Sequence, residues 1–474
     1  MMKSLHFPFM VLAALLSVAF AAPDVFAQRA VPESREQVML SFAPLVKKAS
    51  PAVVNIFTRK AVQQRGPSSP LFNDPFFRRF FGESFDRIEP RENVENSLGS
   101  GVIVRPDGLI VTNFHVIEGA DTIRVVLSDR REFDAEILRE DEQTDLAILK
   151  VDTDDGQLPY VELGDSDELE VGDLVLAIGN PFGVGQTVTS GIVSGLARTN
   201  VGISDFNFFI QTDAAINPGN SGGALLRMDS TLAGVNTAIF SRSGGSQGIG
   251  FAVPSNMVRT VIAGAASGDA LRRAWLGAKA DTVSAEIANA IGLDRPDGVI
   301  LSDIHPEGPA LRAGLKSGDI IVAVEDQPVF DEEGLRFRIA TGVVGGTTKL
   351  RVRRPDRIFD VDLFLEHPPE IPARDEHQLR GAHPLAGATV ANLSPALAAE
   401  MGRDHFDAGV IIRDIASRSP AHRLEFRPGD IVAEVNGQPI EFVSDLREAT
   451  AAPQPRWNLK VRRAGRIFSL SISG

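Results

Sequence analysis

A serine set among glycines, Gly219-Asn220-Ser221-Gly222-Gly223, lies downstream of Thr112-Asn113-Phe114-His115 and of Thr144-Asp145-Leu146-Ala147. Histidine, aspartate and serine in that chain order are the residue types of nucleophilic acyl transfer. A serine hydroxyl is a poor nucleophile at neutral pH, so it needs an imidazole to take its proton and a carboxylate to fix the imidazole's tautomer. The glycines serve another part of the chemistry. Without a Cβ they let the backbone bend sharply, so that the N–H groups of Gly219 and Ser221 can converge on the oxyanion of a tetrahedral intermediate. Each element taken singly has a plainer reading: the glycine string as a tight turn, His115 as a surface histidine, Asp145 as a solvated strand-end acid.

The flanking residues supply the elements that must position these groups. Gly101-Val102-Ile103-Val104 and Leu109-Ile110-Val111, separated by Arg105-Pro106-Asp107-Gly108, predict a β-hairpin that delivers His115 at a strand end. Asp145 opens another apolar run, Leu146 to Val151, and an acid at the mouth of a buried strand must find hydrogen-bond partners. His115 is one candidate.

Thr112-Asn113-Phe114-His115-Val116, Thr144-Asp145-Leu146-Ala147-Ile148-Leu149-Lys150-Val151 and Gln211 to Leu225 together resemble the HtrA/Deg serine proteases. The similarity continues through Gly248 to Asn256 and into the C-terminal repeats, covering nearly all of the chain after residue 40. The resemblance implies a mainly β protein: a chymotrypsin-like double β-barrel protease domain followed by two α+β PDZ domains. It also implies that His115 is the general base, Asp145 its orienter and Ser221 the nucleophile, with Gly219 and Ser221 forming the oxyanion hole.

By the same resemblance the specificity pocket has its floor near Ala214-Ala215-Ile216 and a wall at Asn236-Thr237-Ala238-Ile239-Phe240. Neither offers an acid suited to Lys or Arg apart from Asp213, so a small aliphatic P1 residue is expected, with Ala215, Ile216, Thr237, Ala238 and Ile239 as substrate contacts. The Phe- and Pro-rich run Gly66 to Gly82 is too aromatic for a plain solvated loop. Proteins of the family use a long loop here to regulate the active site and to join trimers into larger particles.

Behind the catalytic region the chain repeats itself. Gly298-Val299-Ile300-Leu301, Gly308-Pro309-Ala310, Gly318-Asp319-Ile320-Ile321 and Gln327-Pro328-Val329 recur as Gly409-Val410-Ile411-Ile412, Ser419-Pro420-Ala421, Gly429-Asp430-Ile431-Val432 and Gln438-Pro439-Ile440. With a helix expected near Glu332 to Thr341 and Ser444 to Thr450, the copies resemble tandem PDZ modules, which take an extended peptide as an added strand. Leu276-Gly277-Ala278 and Leu385-Ala386-Gly387-Ala388 are then the expected carboxylate-binding loops, or else simply strand starts. Where the first copy has Gly314 the second has Glu425, so either Glu425 adopts a glycine-like conformation or the turn differs. Peptide binding is therefore expected of the first copy, with a part in assembly as the alternative for the second.

Composition bounds the rest. The 474 residues are 43% hydrophobic, enough for three or four domains with cores of their own. Zero cysteines exclude disulfides and thiolate chemistry, and eight scattered histidines do not suggest a metal site. A net charge of −14 without a Lys/Arg cluster argues against nucleic acid. No cofactor is expected, and no phosphate-binding Gly-x-x-x-x-Gly-Lys-Ser/Thr string occurs. Lys3, the apolar stretch Phe7 to Ala22 and the small residues around Ala27 read as a removable Sec-type signal peptide, hence periplasmic export without lasting membrane association.

The expected organisation is a signal peptide over 1–27, a protease domain over 28–265 with a regulatory loop at about 60–96, a PDZ module over 274–367, a Pro-rich linker over 368–384 and a second module over 385–474. The expected function is an ATP-independent serine endopeptidase acting on unfolded or misfolded polypeptides, with PDZ modules binding hydrophobic C-terminal peptides, in a homotrimer or larger assembly. A PDZ-based holdase in which proteolysis is secondary is the alternative.

Overall fold

A computed structural model of the chain describes residues 41–61, 94–153, 156–180, 185–198, 208–217, 219–239, 246–267 and 273–473. The expected signal peptide and residues 62–93 of the expected regulatory loop lie outside the described residues. Twelve strands form two closed antiparallel barrels. The first takes β1 (Val53–Ala61), β2 (Val94–Arg105), β3 (Leu109–Thr112), β4 (Thr122–Val126), β5 (Glu132–Asp141) and β6 (Leu146–Val151). The second takes β7 (Leu174–Gly179), β8 (Thr187–Arg198), β9 (Phe209–Thr212), β10 (Ala224–Leu226), β11 (Leu232–Ile239) and β12 (Gly250–Pro254).

The apolar runs that predicted the hairpin are β2 and β3, paired Val102 to Val111, and Gly108 takes the positive φ (+87°) that the turn requires. β3 and β6 are adjacent and almost wholly buried, as runs without polar alternation must be. The helix Ser255–Ser267 then leaves the second barrel.

Two further sheets follow. The first is β13 (Ala278–Thr282), β14 (Val299–Ile304), β15 (Ile320–Val324), β16 (Gln327–Pro328), β17 (Thr347–Arg354) and β18 (Arg357–Phe364), with β13 at one edge and the helix Glu332–Ala340 across it. The second is β19 (His377–Gln378), β20 (Ala388–Asn392), β21 (Val410–Ile415), β22 (Ile431–Val435), β23 (Gln438–Pro439), β24 (Arg456–Arg463) and β25 (Arg466–Ser473), with the helix Val443–Ala449. Each copy has its own core, the second built around Trp457.

The sequence repeat has a physical basis at its Gly-Asp turns. Asp319 is held by Arg354 at 2.6 and 2.8 Å, and Asp430 by Arg463 at 2.6 and 2.7 Å, two forked charge-assisted pairs on nearly buried carboxylates. The Nη2 of each arginine also donates to the preceding turn, to the Gly314 carbonyl in one copy and the Glu425 carbonyl in the other. Gly314 has φ +80° and Glu425 φ +59°, so the turn is retained and Glu425 bears its strain. Glu425→Gly is therefore expected to stabilise the second module by about 1 kcal/mol in chemical denaturation.

The Pro-rich segment 368–384 departs from the expectation of a linker. Arg374 clamps Glu370 (2.9 Å) and Glu400 (2.8 Å), Asn392 donates to the Ala373 carbonyl (2.9 Å), and His377–Gln378 pair with Val390 and Thr389 as β19. The charges that suggest solvation pair with each other instead. Leu379 buries its side chain in the second core.

Candidate active site

His115 and Asp145 come from the first barrel. His115 sits one residue into a single helical turn, Phe114–Ile117, directly after β3, rather than at the strand end itself. Asp145 precedes β6 in a left-handed conformation (φ +55°), after the 3₁₀ turn Glu142–Thr144, and this bend aims its carboxylate back at the histidine. The imidazole Nδ1 lies 2.8 and 2.9 Å from the two carboxylate oxygens, and the backbone N–H of His115 donates to Oδ1 at 3.1 Å. Asn113 donates to the Asp145 carbonyl at 2.9 Å, and the Thr237 hydroxyl donates to Oδ2. The carboxylate is 6% exposed and fully engaged. Burial is the largest influence on His115 and opposes its protonation. The charge and hydrogen bond of Asp145, helped by Glu118, outweigh it and hold the imidazole above its ordinary 6.5.

Ser221 comes from the second barrel, in the turn before β10. Gly219 and Gly222 take φ of +93° and +81°, and a Cβ on Gly222 would run into the Ser100 carbonyl and the Thr112 hydroxyl. The turn is stitched to both barrels. Gly222 N–H donates to the Asn236 carbonyl at 2.8 Å, and Ser100 N–H from β2 donates to the Ser221 carbonyl at 2.8 Å. The Ser100 hydroxyl donates to the Gly219 carbonyl (2.6 Å) and accepts from Asn180 N–H (2.8 Å). Among the described residues, Ser221 Oγ donates to the Thr237 carbonyl at 3.1 Å rather than to His115.

The expected pocket residues divide. Ala214 and Ile216 are buried in the core of the second barrel, and Ala215 is half-buried with its carbonyl bound by Thr189. Asp213 is exposed and accepts from Ile192 N–H at 2.7 Å, so its carboxylate is turned onto β8. Thr237, expected as a pocket wall, spends its side chain on Asp145 and its carbonyl on Ser221. Ala238 and Ile239 belong to β11, but their side chains lie outside the described residues, as do Pro218 and Phe240. Sequence reasoning missed Ser100, for which Gly99-Ser100-Gly101 carries no signal, and the supporting bond from Asn113, which stood inside the quoted histidine motif.

The expected carboxylate-binding loops are alike in both modules. The Leu276 carbonyl accepts from Ala310 and that of Gly277 from His305; the Ala386 carbonyl accepts from Ala421 and that of Gly387 from Ala416. Gly277 and Gly387 both have positive φ, and Ala278 and Ala388 begin β13 and β20. The edges next to them differ. β13 is an edge strand, whereas the outer edge of β20 is already paired by β19, with Leu379 N–H donating to the Ala388 carbonyl at 2.8 Å.

Two closed barrels, the first holding His115 on Asp145 and the second linking Ser221 to that carboxylate through Thr237, followed by two such sheets, define a trypsin-like peptidase bearing tandem PDZ modules. Residues 99–235 match the trypsin-like peptidase domain family, and residues 275–365 and 411–463 match PDZ domain families. The chain is 37% identical over 480 residues to a probable periplasmic serine endoprotease DegP-like of Halomonas elongata, covering 97% of this chain and 96% of that one. It is 38% identical over 413 residues to the periplasmic pH-dependent serine endoprotease DegQ of Escherichia coli, covering 87% of each. Among solved structures, the HtrA-type protease AlgW with tripeptide matches with 39% identity and a TM-score of 0.51 over 70% of this chain and 98% of that chain. The chain belongs to the HtrA family of DegP/DegQ-like serine endoproteases.

Proposed function

We propose that the chain hydrolyses unfolded or misfolded polypeptides in the periplasm, without ATP, through an acyl-enzyme on Ser221. The observation that carries this reading is the imidazole of His115 locked to both oxygens of Asp145 at 2.8 and 2.9 Å, with Ser221 tied to the same carboxylate through Thr237, whose carbonyl accepts from Ser221 Oγ and whose hydroxyl donates to Oδ2. Ser221 Oγ turns from the Thr237 carbonyl to His115 Nε2, gives up its proton there and attacks the scissile carbonyl. The Gly219 and Ser221 amides receive the oxyanion. The imidazolium returns the proton to the leaving amine, and water activated by the same imidazole releases the acid. The small side chains near Ala215 suit a small aliphatic P1 residue.

The first PDZ module takes hydrophobic C-terminal peptides along β13, while the edge of the second is filled by its own chain. Export follows from the N-terminal segment through cleavage of a signal peptide at about residue 27. Assembly as a homotrimer or larger particle follows from family membership.

The test is cleavage of a permanently unfolded substrate beside a folded control, with cleavage sites mapped, before and after stoichiometric labelling by a fluorophosphonate. Digestion of the unfolded chain alone, stopped by a single label on Ser221, is the expected result. Cleavage mainly after Lys or Arg would sink the P1 assignment. Absence of cleavage with aggregation still suppressed would replace the protease reading with that of a holdase.

A further inference from the structure

A cleft of about 660 Å³ lies along the edge strand β13 and the helix Glu332–Ala340, and its outer wall belongs to the second PDZ module. That wall is the turn after the helix Pro395–Glu400, which is rigidly built. Arg403 is held by Asp407 (3.0 Å) and by the Gly429 carbonyl (2.9 Å), and Asp404 accepts from Phe406 N–H at 2.9 Å. The turn meets the first module at the carboxylate-binding end of the groove. Asp404 pairs with Lys279 of β13 at 2.8 Å. His405 stacks on Trp275, with ring centroids 5.7 Å apart and planes 11° from parallel. Phe406 lies edge-on to His305 at 5.5 Å and beneath the Lys279 ammonium at 4.9 Å. Gln143, in the turn before Asp145, ties the preceding helix to the protease domain through the Ala399 carbonyl at 3.0 Å.

We propose that Asp404-His405-Phe406 is a gate supplied in cis by the second PDZ module over the peptide groove of the first, so that ligand entry requires the two modules to part. The proposal rests on the reading of the first module as the peptide-binding one. A peptide adding to β13 with its carboxylate at Leu276-Gly277-Ala278 must pass Trp275 and Lys279, the two side chains that the turn engages.

The gate also responds to acid. Burial pushes the half-buried His405 down to about 4; Asp404 of its own turn opposes this, and Arg336 of the helix Glu332–Ala340 and His305 of the turn after β14 reinforce it. The closed arrangement therefore holds a neutral imidazole. It is favoured above the ordinary histidine value of 6.5 and weakens as pH falls from 6.5 toward 4.

The test uses the full chain with Ser221→Ala, so that the probe survives, and a fluorescein-labelled decapeptide ending in three apolar residues, read by anisotropy. The double variant His405→Ala/Phe406→Ala is expected to bind about tenfold or more tightly, because apparent affinity scales with the open fraction. Asp404→Lys, which sets two ammonium groups against each other and leaves the groove residues unaltered, is expected to tighten binding in the same direction. The chain contains no cysteine, so Lys279→Cys/Asp404→Cys can be bridged by a reductant-cleavable bismaleimide. The bridged protein is expected to lose binding and regain it on reduction. Equal affinity in the parent, loosened and bridged forms overturns the gate and leaves the peptide reading standing. Absence of binding in every form overturns both.

Discussion

Asp145→Asn is expected to lower kcat by about four orders of magnitude while leaving the fold intact. The amide is nearly isosteric with the carboxylate, so the contacts from Asn113 to the Asp145 carbonyl and from His115 N–H to Oδ1 can persist. What fails is the proton inventory. Nδ1 now lies 2.8 Å from an atom that can be an N–H donor, which drives the ring to the tautomer with its proton on Nε2, where the serine proton must go. The acid limb of the kcat/KM profile reports the same change. In the parent, His115 titrates above 6.5 because Asp145 outweighs burial, so activity falls as pH drops through that raised value. In the variant the opposing burial remains and the residual activity should fall off at a lower pH. The same linkage makes the His115–Asp145 pair a stability term that is fully present below 6.5 and fades as pH rises through the raised value. A D145N profile with an unshifted acid limb would assign that limb to another group.

Gly222→Ala is expected to cost about a hundredfold or more in kcat/KM and to lower the melting temperature. Two penalties coincide: φ is +81°, and the new Cβ meets the Ser100 carbonyl, a backbone atom with no rotamer to yield. Relief can come only by moving the turn or β2, and Ser100 holds the Gly219 and Ser221 carbonyls at 2.6 and 2.8 Å. On the proposed role of Ser221, its displacement by about 1 Å is enough for a hundredfold loss. Fluorophosphonate labelling of Ser221 should slow in proportion. Unchanged labelling with lost peptidase activity would place the damage in substrate binding instead.

The elements of the candidate site were legible where they are carried by local strings. His115, Asp145 and Ser221 sit in motifs whose neighbours also build the strands that position them, so residue type and element agree. The tandem modules were legible for the same reason, since each Gly-Asp turn carries its own clamp. Contacts between distant residues were not. The Ser100 hydroxyl reaches Gly219 across 119 positions, and Thr237 reaches Asp145 across 92; neither pairing leaves a periodicity or spacing to read. Segment 368–384 misled for a related reason: proline and charge look the same in a solvated tether and in one whose charges are neutralised by Glu370, Glu400 and Arg374.

The short strand β19 bears on how the duplicated module has come to be used. A chain segment that ends ten positions before the strand it pairs, as Gln378 does before Ala388, acts at an effective concentration of about millimolar or higher, which a free peptide of modest affinity cannot match. The second copy thus keeps the strand order of the first, while the edge that β13 leaves open is paired in it by its own backbone.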